Sequence, residues 1–167
     1  DHVASSSGLE VEQYLVVAPH TGRQDLITGI TVLPVWKGGI VLLKTFRHAV
    51  GRFVLEAPRG FVEPGEELRD AALRELTEET GLIGAPDKVI SLGICMPEPG
   101  AIAARVALFV ATDCRAGGRT DKQELGLCSR VRFSFSSAER LLREMALEDV
   151  TTCIALHRFF LLRRANR

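Results

Sequence analysis

Neither sign of charge is in excess in this 167-residue chain, where 21 Lys and Arg face 21 Asp and Glu. A balanced charge gives no standing attraction to nucleic acid or to an anionic membrane, and it leaves small phosphorylated substrates open. Long apolar runs are also missing. Stretches such as residues 40–43 and 159–162 are far too short to span a bilayer. No signal-peptide pattern is visible, so a cytoplasmic protein is expected. The chain opens on Asp1 rather than Met, which suggests processing or trimming ahead of it. Cysteine is sparse: Cys95, Cys114, Cys128 and Cys153 lie far apart, with no CxxC and no His at zinc-ligand spacing. Buried free thiols are the expectation. His2, His20, His48 and His157 are likewise scattered, and the single tryptophan, Trp36, reads as strand packing or as a platform for a base.

What is present suffices for one domain. With 46% hydrophobic residues the chain can bury a core of ordinary size. Residues 1–9 read as a Ser-rich, disordered lead-in, and residues 10–167 as a single unit without repeat or linker. Strands are expected over 10–18, 28–36, 40–46, 53–57, 88–95, 106–112 and 129–135, with Lys37-Gly38-Gly39 as a turn between the second and third. Residues 117–127 are polar and Gly-rich, which reads as a loop. A helix is expected over 136–145, opened by a Ser136-x-x-Glu139 capping box, and a last one over 151–164. Strands mixed with a few helices give an α/β fold in which a sheet is sandwiched between helices.

The seventeen residues 63–79 hold seven of the 21 acids. Glu63-Pro64-Gly65-Glu66 places Pro and Gly at the centre of a type II turn, and a helix follows it. At about 100° per residue Ala72, Leu73, Leu76 and Thr80 share one flank, while Ala71, Glu75, Glu78 and Glu79 share the neighbouring arc. Gly81 marks the last turn, where helix carbonyls already make the potential negative and carboxylates cost stability. Glu75 and Glu79 repel across one turn by roughly 0.2–0.5 kcal/mol when exposed, and Arg74, four residues before Glu78, stands in the weaker order for an ion pair. Such an arc is either a solvated face or a site for a hard divalent cation such as Mg²⁺, which completes its shell with water and phosphate oxygens.

The string from Gly60 to Leu82 resembles the Nudix box without a gap: Gly60, five residues, Glu66, seven residues, Arg74-Glu75-Leu76, any residue, Glu78-Glu79, any residue, Gly81-Leu82. Chance filling of nine fixed positions over 23 residues is very improbable. The flanks look like the ADP-ribose pyrophosphatase branch of that superfamily: Thr45-Phe46-Arg47 ends a strand, Glu56-Ala57-Pro58-Arg59-Gly60 leads into the box, and Pro97 stands sixteen residues past Gly81. Two departures point toward a different substrate. Arg59 replaces the branch's usual Ala, and the stretch after Pro99-Gly100 lacks a Glu.

The resemblance implies a Nudix-type α/β/α sandwich with a mixed sheet. It implies a hydrolase that cleaves the pyrophosphate of ADP-ribose or a related nucleotide sugar into AMP and a sugar phosphate. The alternatives are a Nudix pyrophosphatase acting on reduced dinucleotides or nucleoside triphosphates, and a non-catalytic module that senses ADP-ribose. By resemblance Glu75 and Glu79 are the principal metal ligands, Glu78 joins them or supports them, and the main-chain carbonyl of Arg59 completes the set around two or more Mg²⁺ or Mn²⁺ ions. Glu66 either pairs with Arg74 or reaches the metals indirectly. Arg74 is a structural bridge or a functional group. Glu124, on a late loop, is the general base, with Glu78 or Glu79 next. Arg47, Glu56 and Glu98 are substrate contacts, and Arg47 suits phosphate through its bidentate fork. A homodimer is implied by the same resemblance.

Overall fold

The structure, a computed structural model, describes residues 1–19, 23–120 and 126–165, the side chains at 127 and 128 excepted. In chain order its elements are β1 (Val3–Ala4), β2 (Glu10–Val11), β3 (Ile27–Trp36), β4 (Gly39–Arg47), β5 (Arg52–Glu56), β6 (Arg59–Phe61), α1 (Leu68–Thr80), β7 (Leu82–Ile83), β8 (Val89–Cys95), β9 (Arg105–Ala111), β10 (Arg115–Ala116), β11 (Leu127–Ser134), α2 (Phe135–Arg143) and α3 (Val150–Ala165). The main sheet runs β11-β4-β3-β9-β8. Its central β3–β9 pair is parallel and its other pairs are antiparallel, so the sheet is mixed.

Strand alternation divides the core between the two faces. Ile30 and Val32 of β3, Val41 of β4, and Ala107 and Phe109 of β9 join Ala71, Ala72 and Leu76 of α1 on one face. Leu33, Ile40, Leu42, Leu108 and Val110 join Ala138 of α2 and Ala155, Leu156 and Phe159 of α3 on the other. This is the period-2 signature of a sheet covered on both sides. Each fully buried Leu or Ile contributes about 1.5–3 kcal/mol.

One irregularity positions the site. Strands β3 and β4 pair only beside their turn, at Val35 with Ile40 and Trp36 with Gly39, and then part. The gap is filled by β5 on β4 and β6 on β3. Val32 donates its N–H to the Pro58 carbonyl at 2.9 Å, so the even-numbered residues of β3 face this gap. Pro34, which has no N–H to give, falls where the two strands separate, and no ladder bond is lost.

Two expectations are corrected. Residues 10–18 do not form one continuous strand: only Glu10–Val11 pairs, with Val3–Ala4, and Val17 makes an isolated bridge to Ile102. Strand preference in such a segment depends on packing against a half-buried surface, and here Leu15 is 73% exposed. The cap of α2 is Ser134 rather than Ser136, with the Ser134 hydroxyl accepting from the Ser137 N–H at 3.1 Å. The three-residue β6 and the short β7–β10 ladder are too brief to leave a periodic signal. Among the described residues no helix is long and apolar enough to cross a membrane. Cys95 and Cys114 are buried free thiols and Cys153 is half-buried, each thiol pushed up by burial, to about 11 for Cys114.

Candidate active site

The turn ahead of α1 forms as its residues dictate. Gly65 takes φ 79°, and the Glu66 N–H donates to the Glu63 carbonyl at 3.0 Å. At the other end Gly81 adopts the left-handed conformation and donates to the Thr77 carbonyl. The cation that this acid-rich helix end calls for comes from β11. Arg130 donates to the Thr80 carbonyl while its guanidinium lies 5.6 Å from the centre of the Trp36 ring. Trp36 itself packs partly buried against the α1-face core.

Glu75 and Glu79 are buried, 9% and 5% exposed, and turned toward β6. Gly60 makes room for this, because a Cβ there would fall 1.9 Å from Glu75 Oε1. Gly29 does the same one strand over, where a Cβ would lie 2.8 Å from the Gly60 carbonyl oxygen. Glu79 Oε2 accepts the Arg59 N–H at 2.9 Å. Strand geometry then fixes the Arg59 carbonyl. Residues 58 and 62 pair with β3 through Pro58 O and the Val62 N–H, so the intervening odd residues direct both backbone groups to the opposite edge. The Arg59 carbonyl therefore shares the edge on which Glu79 is held. Two buried carboxylates and a main-chain carbonyl are hard oxygen donors of the kind that suit Mg²⁺ or Mn²⁺, and in that sense the residues fit such an ion. Among the described residues no three His, Cys, Asp or Glu side chains gather closely enough to hold a metal, and Arg74 Nη1 stands between Glu75 and Glu78, donating to both.

Arg74 is the hub of the box. It donates from Nε and Nη2 to both oxygens of Glu66 at 2.9 and 3.0 Å, from Nη2 to the Phe61 carbonyl at 2.9 Å, and from Nη1 to Glu75 Oε1 at 2.8 Å and Glu78 Oε2 at 3.2 Å. The hydrogen bonds that Arg74 donates hold the Glu66 carboxyl below its ordinary range, and the same bonds to Glu66 raise the guanidinium pKa further still. Turn, strand β6 and helix are thus tied through one side chain.

Beside β6 a cavity of about 350 Å³ is lined by Thr28–Thr31 of β3, Arg47, Arg59, Gly60, Phe61, Pro97, Val106 and Thr151. Arg47 forks onto Glu56, with Nε to Oε2 at 3.1 Å and Nη2 to Oε1 at 2.6 Å. Arg59 Nη2 shares the same carboxylate at 2.9 Å. Glu56 is only 2% exposed, so it organises the two cations from beneath them. Glu98 is exposed on the neighbouring loop and accepts the Gly100 N–H at 3.3 Å. Glu124 lies outside the described residues.

Sequence reasoning missed Asp149. Its Oδ1 accepts from Arg59 Nη1 at 2.6 Å, and its Oδ2 caps α3. Burial alone would raise this carboxyl, but Arg59 and the hydrogen bonds from Thr152 and Thr151 outweigh it and hold it low. The string Asp149-Val150-Thr151-Thr152 carried a cap signal. Nothing local in it pointed to Arg59.

Residues 26–150 match the family model described as the NUDIX domain. The chain is 48% identical over 61 residues to the ADP-sugar pyrophosphatase of Mus musculus, a match covering 36% of this chain and 27% of that protein. It is 29% identical over 123 residues to the ADP-ribose pyrophosphatase of Bacillus subtilis strain 168, covering 72% of this chain and 64% of that protein. These matches therefore span from about a quarter to just under two thirds of the relatives' length. A crystal structure described as an ADP compounds hydrolase superposes with a TM-score of 0.83 over 99% of this chain and 84% of its own, at 18% identity, which bears on the fold alone.

Proposed function

The chain belongs to the Nudix family, and from that premise we propose that it is a Mg²⁺- or Mn²⁺-dependent pyrophosphohydrolase. Its substrate is a nucleoside diphosphate linked to a second group, ADP-ribose or a related nucleotide sugar, and its products are AMP and a sugar phosphate. One observation carries this reading: Glu75 and Glu79, buried one helical turn apart, are fitted against β6, whose residues also line a cavity bordered by the guanidiniums of Arg47 and Arg59. The names of the mouse and Bacillus relatives support the substrate class.

In this reading Glu75, Glu79 and the Arg59 carbonyl hold the divalent ions, two or more per site. Divalent ions bound there would supply neutralisation of phosphate charge and a lowered pKa for a water. Arg74 fixes Glu75 and Glu78, and Glu66 fixes Arg74. Arg47, at the cavity wall, holds a phosphate of the substrate. Glu98 and the loop it caps border the sugar, and Glu124 takes the proton from the attacking water, with Glu78 or Glu79 as substitutes. The protein works as a cytoplasmic homodimer. The test is a panel of nucleoside diphosphate derivatives incubated with Mg²⁺ and resolved by product. Release of AMP from ADP-ribose or an ADP-sugar supports the reading. Absence of Mg²⁺-dependent cleavage across the panel refutes it.

A further inference from the structure

The start of α3 stands outside the box, yet one carboxylate connects it to the box. Asp149 has an 8% exposed side chain whose two oxygens are divided between two tasks. Oδ2 accepts from the Thr152 N–H at 2.9 Å and from the hydroxyls of Thr151 and Thr152 at 2.8 and 2.6 Å, while the Asp149 carbonyl accepts the Cys153 N–H. That is a complete N-cap, and Asn or Ser would serve it nearly as well. Oδ1 and the full negative charge are not needed for the cap. They face Arg59.

A second arm leads to the same place. The Thr152 hydroxyl that donates to Asp149 also accepts the Ala57 N–H at 2.8 Å. Ala57 and Arg59, on either side of Pro58, are therefore both fastened to Asp149, one through Thr152 and one directly. This stretch enters β6, and its Arg59 N–H meets Glu79. Arg59 spans the two systems: its side chain belongs to the Glu56–Asp149 network and its backbone to the acids of α1.

We propose that Asp149 is a positioning residue for the acidic site. It fixes the backbone of residues 57–59 so that the Arg59 N–H and carbonyl face Glu79, and so sets the geometry of the oxygen donors offered to a divalent ion. The inference rests on the pyrophosphatase reading. Partners one step removed from metal ligands typically change affinity or activity about 10- to 100-fold when altered.

The experiment compares Asp149→Asn with the intact protein and repeats the comparison in an Arg59→Ala background. Asn keeps the cap and the volume but discards the charge that holds Arg59; Asp149→Ser, a cap too short to reach Arg59, is the second variant if Asn folds poorly. Two quantities are read: Mn²⁺ affinity, from the electron paramagnetic resonance signal of free Mn²⁺, and the split between kcat and KM for nucleotide cleavage. Expected are a fall of about 10-fold or more in Mn²⁺ affinity and in kcat with little change in KM, and less than about a threefold further change once Arg59 is already Ala. Equal losses in both backgrounds, or Mn²⁺ binding like that of the intact protein, would show a cap and nothing more, and would overturn the proposal. Intact protein that leaves Mn²⁺ free and cleaves no nucleotide would overturn the pyrophosphatase reading and this inference with it.

Discussion

Replacing Gly60 with alanine adds a single methyl group at the most crowded point of the acidic site. The new Cβ would stand 1.9 Å from Glu75 Oε1, 2.1 Å from its Cδ and 2.5 Å from Oε2. Comfortable carbon contacts are about 3.5–4.0 Å, so the carboxylate must retreat by more than about 1 Å. Gly60 does not occupy the left-handed region, so the backbone itself accepts alanine. Glu75 gives up its bond to Arg74 while Arg74 keeps both bonds to Glu66, and displacing a buried carboxylate from its donor costs about 1–3 kcal/mol of stability. Catalysis is more sensitive: a group misplaced by about 1 Å costs on the order of 100-fold in rate, or about 2.7 kcal/mol of barrier. Gly38→Ala is the counterpart. Gly38 has φ +70° and nothing within 4 Å of its missing Cβ, so the change costs about 1–2 kcal/mol of backbone strain and leaves turnover alone. Turnover at saturating Mg²⁺ and thermal melts of both variants give the comparison. If Gly60→Ala turns over within threefold of the parent, the placement of Glu75 against β6 is not what the reaction depends on.

Glu79→Gln should lower turnover by orders of magnitude while the melting temperature holds or rises, because a charge opposed by the helix dipole is gone; normal turnover would remove Glu79 from the metal set. Thr152→Val should destabilise by about 1–3 kcal/mol, since the buried Ala57 N–H loses its acceptor, and chemical denaturation measures it. Asp149 has a lowered carboxyl in the fold, so its stabilisation is complete above the ordinary carboxylate range near about 3.9 and is lost as pH falls through the folded value. Melts from pH 6 to pH 3 should show a steeper loss for the parent than for Asp149→Asn, and parallel curves would contradict the ion pair. Cys114 should resist thiol reagents at neutral pH until denaturant is added, as a buried thiol held up near about 11 must.

Local patterns were legible in the chain. The turn at 63–66, helix α1 and its Gly81 cap all formed as their residues indicated, because each depends on contacts within a few positions. The strands β3, β4 and β9 were equally plain as near-continuous apolar runs, since both faces of the sheet are covered. What stayed hidden was long-range. Arg130 and Asp149 reach the box from β11 and α3, and no spacing within the box announces either. The segment 10–18 misled for the complementary reason: its apolar residues look like one long strand, but only Glu10–Val11 pair, and with β1 rather than the main sheet. The burial of Glu56 beneath two arginines likewise emerges only when β4, β5 and β6 are brought together.

The parallel pairing of β3 with β9 also governs how this molecule can be made. Ile30 meets Ala107 and Leu33 meets Val110, so both turns of the box and the whole of α1 lie inside one long crossover. During synthesis α1 emerges well before β9, and for that interval its apolar flank has no completed sheet to rest on. Chains interrupted between Gly81 and Arg105 would display Leu76 and its neighbours to water and invite aggregation. The same crossover that brings the acidic helix to the sheet's centre makes the nascent chain depend on protection until its second half arrives.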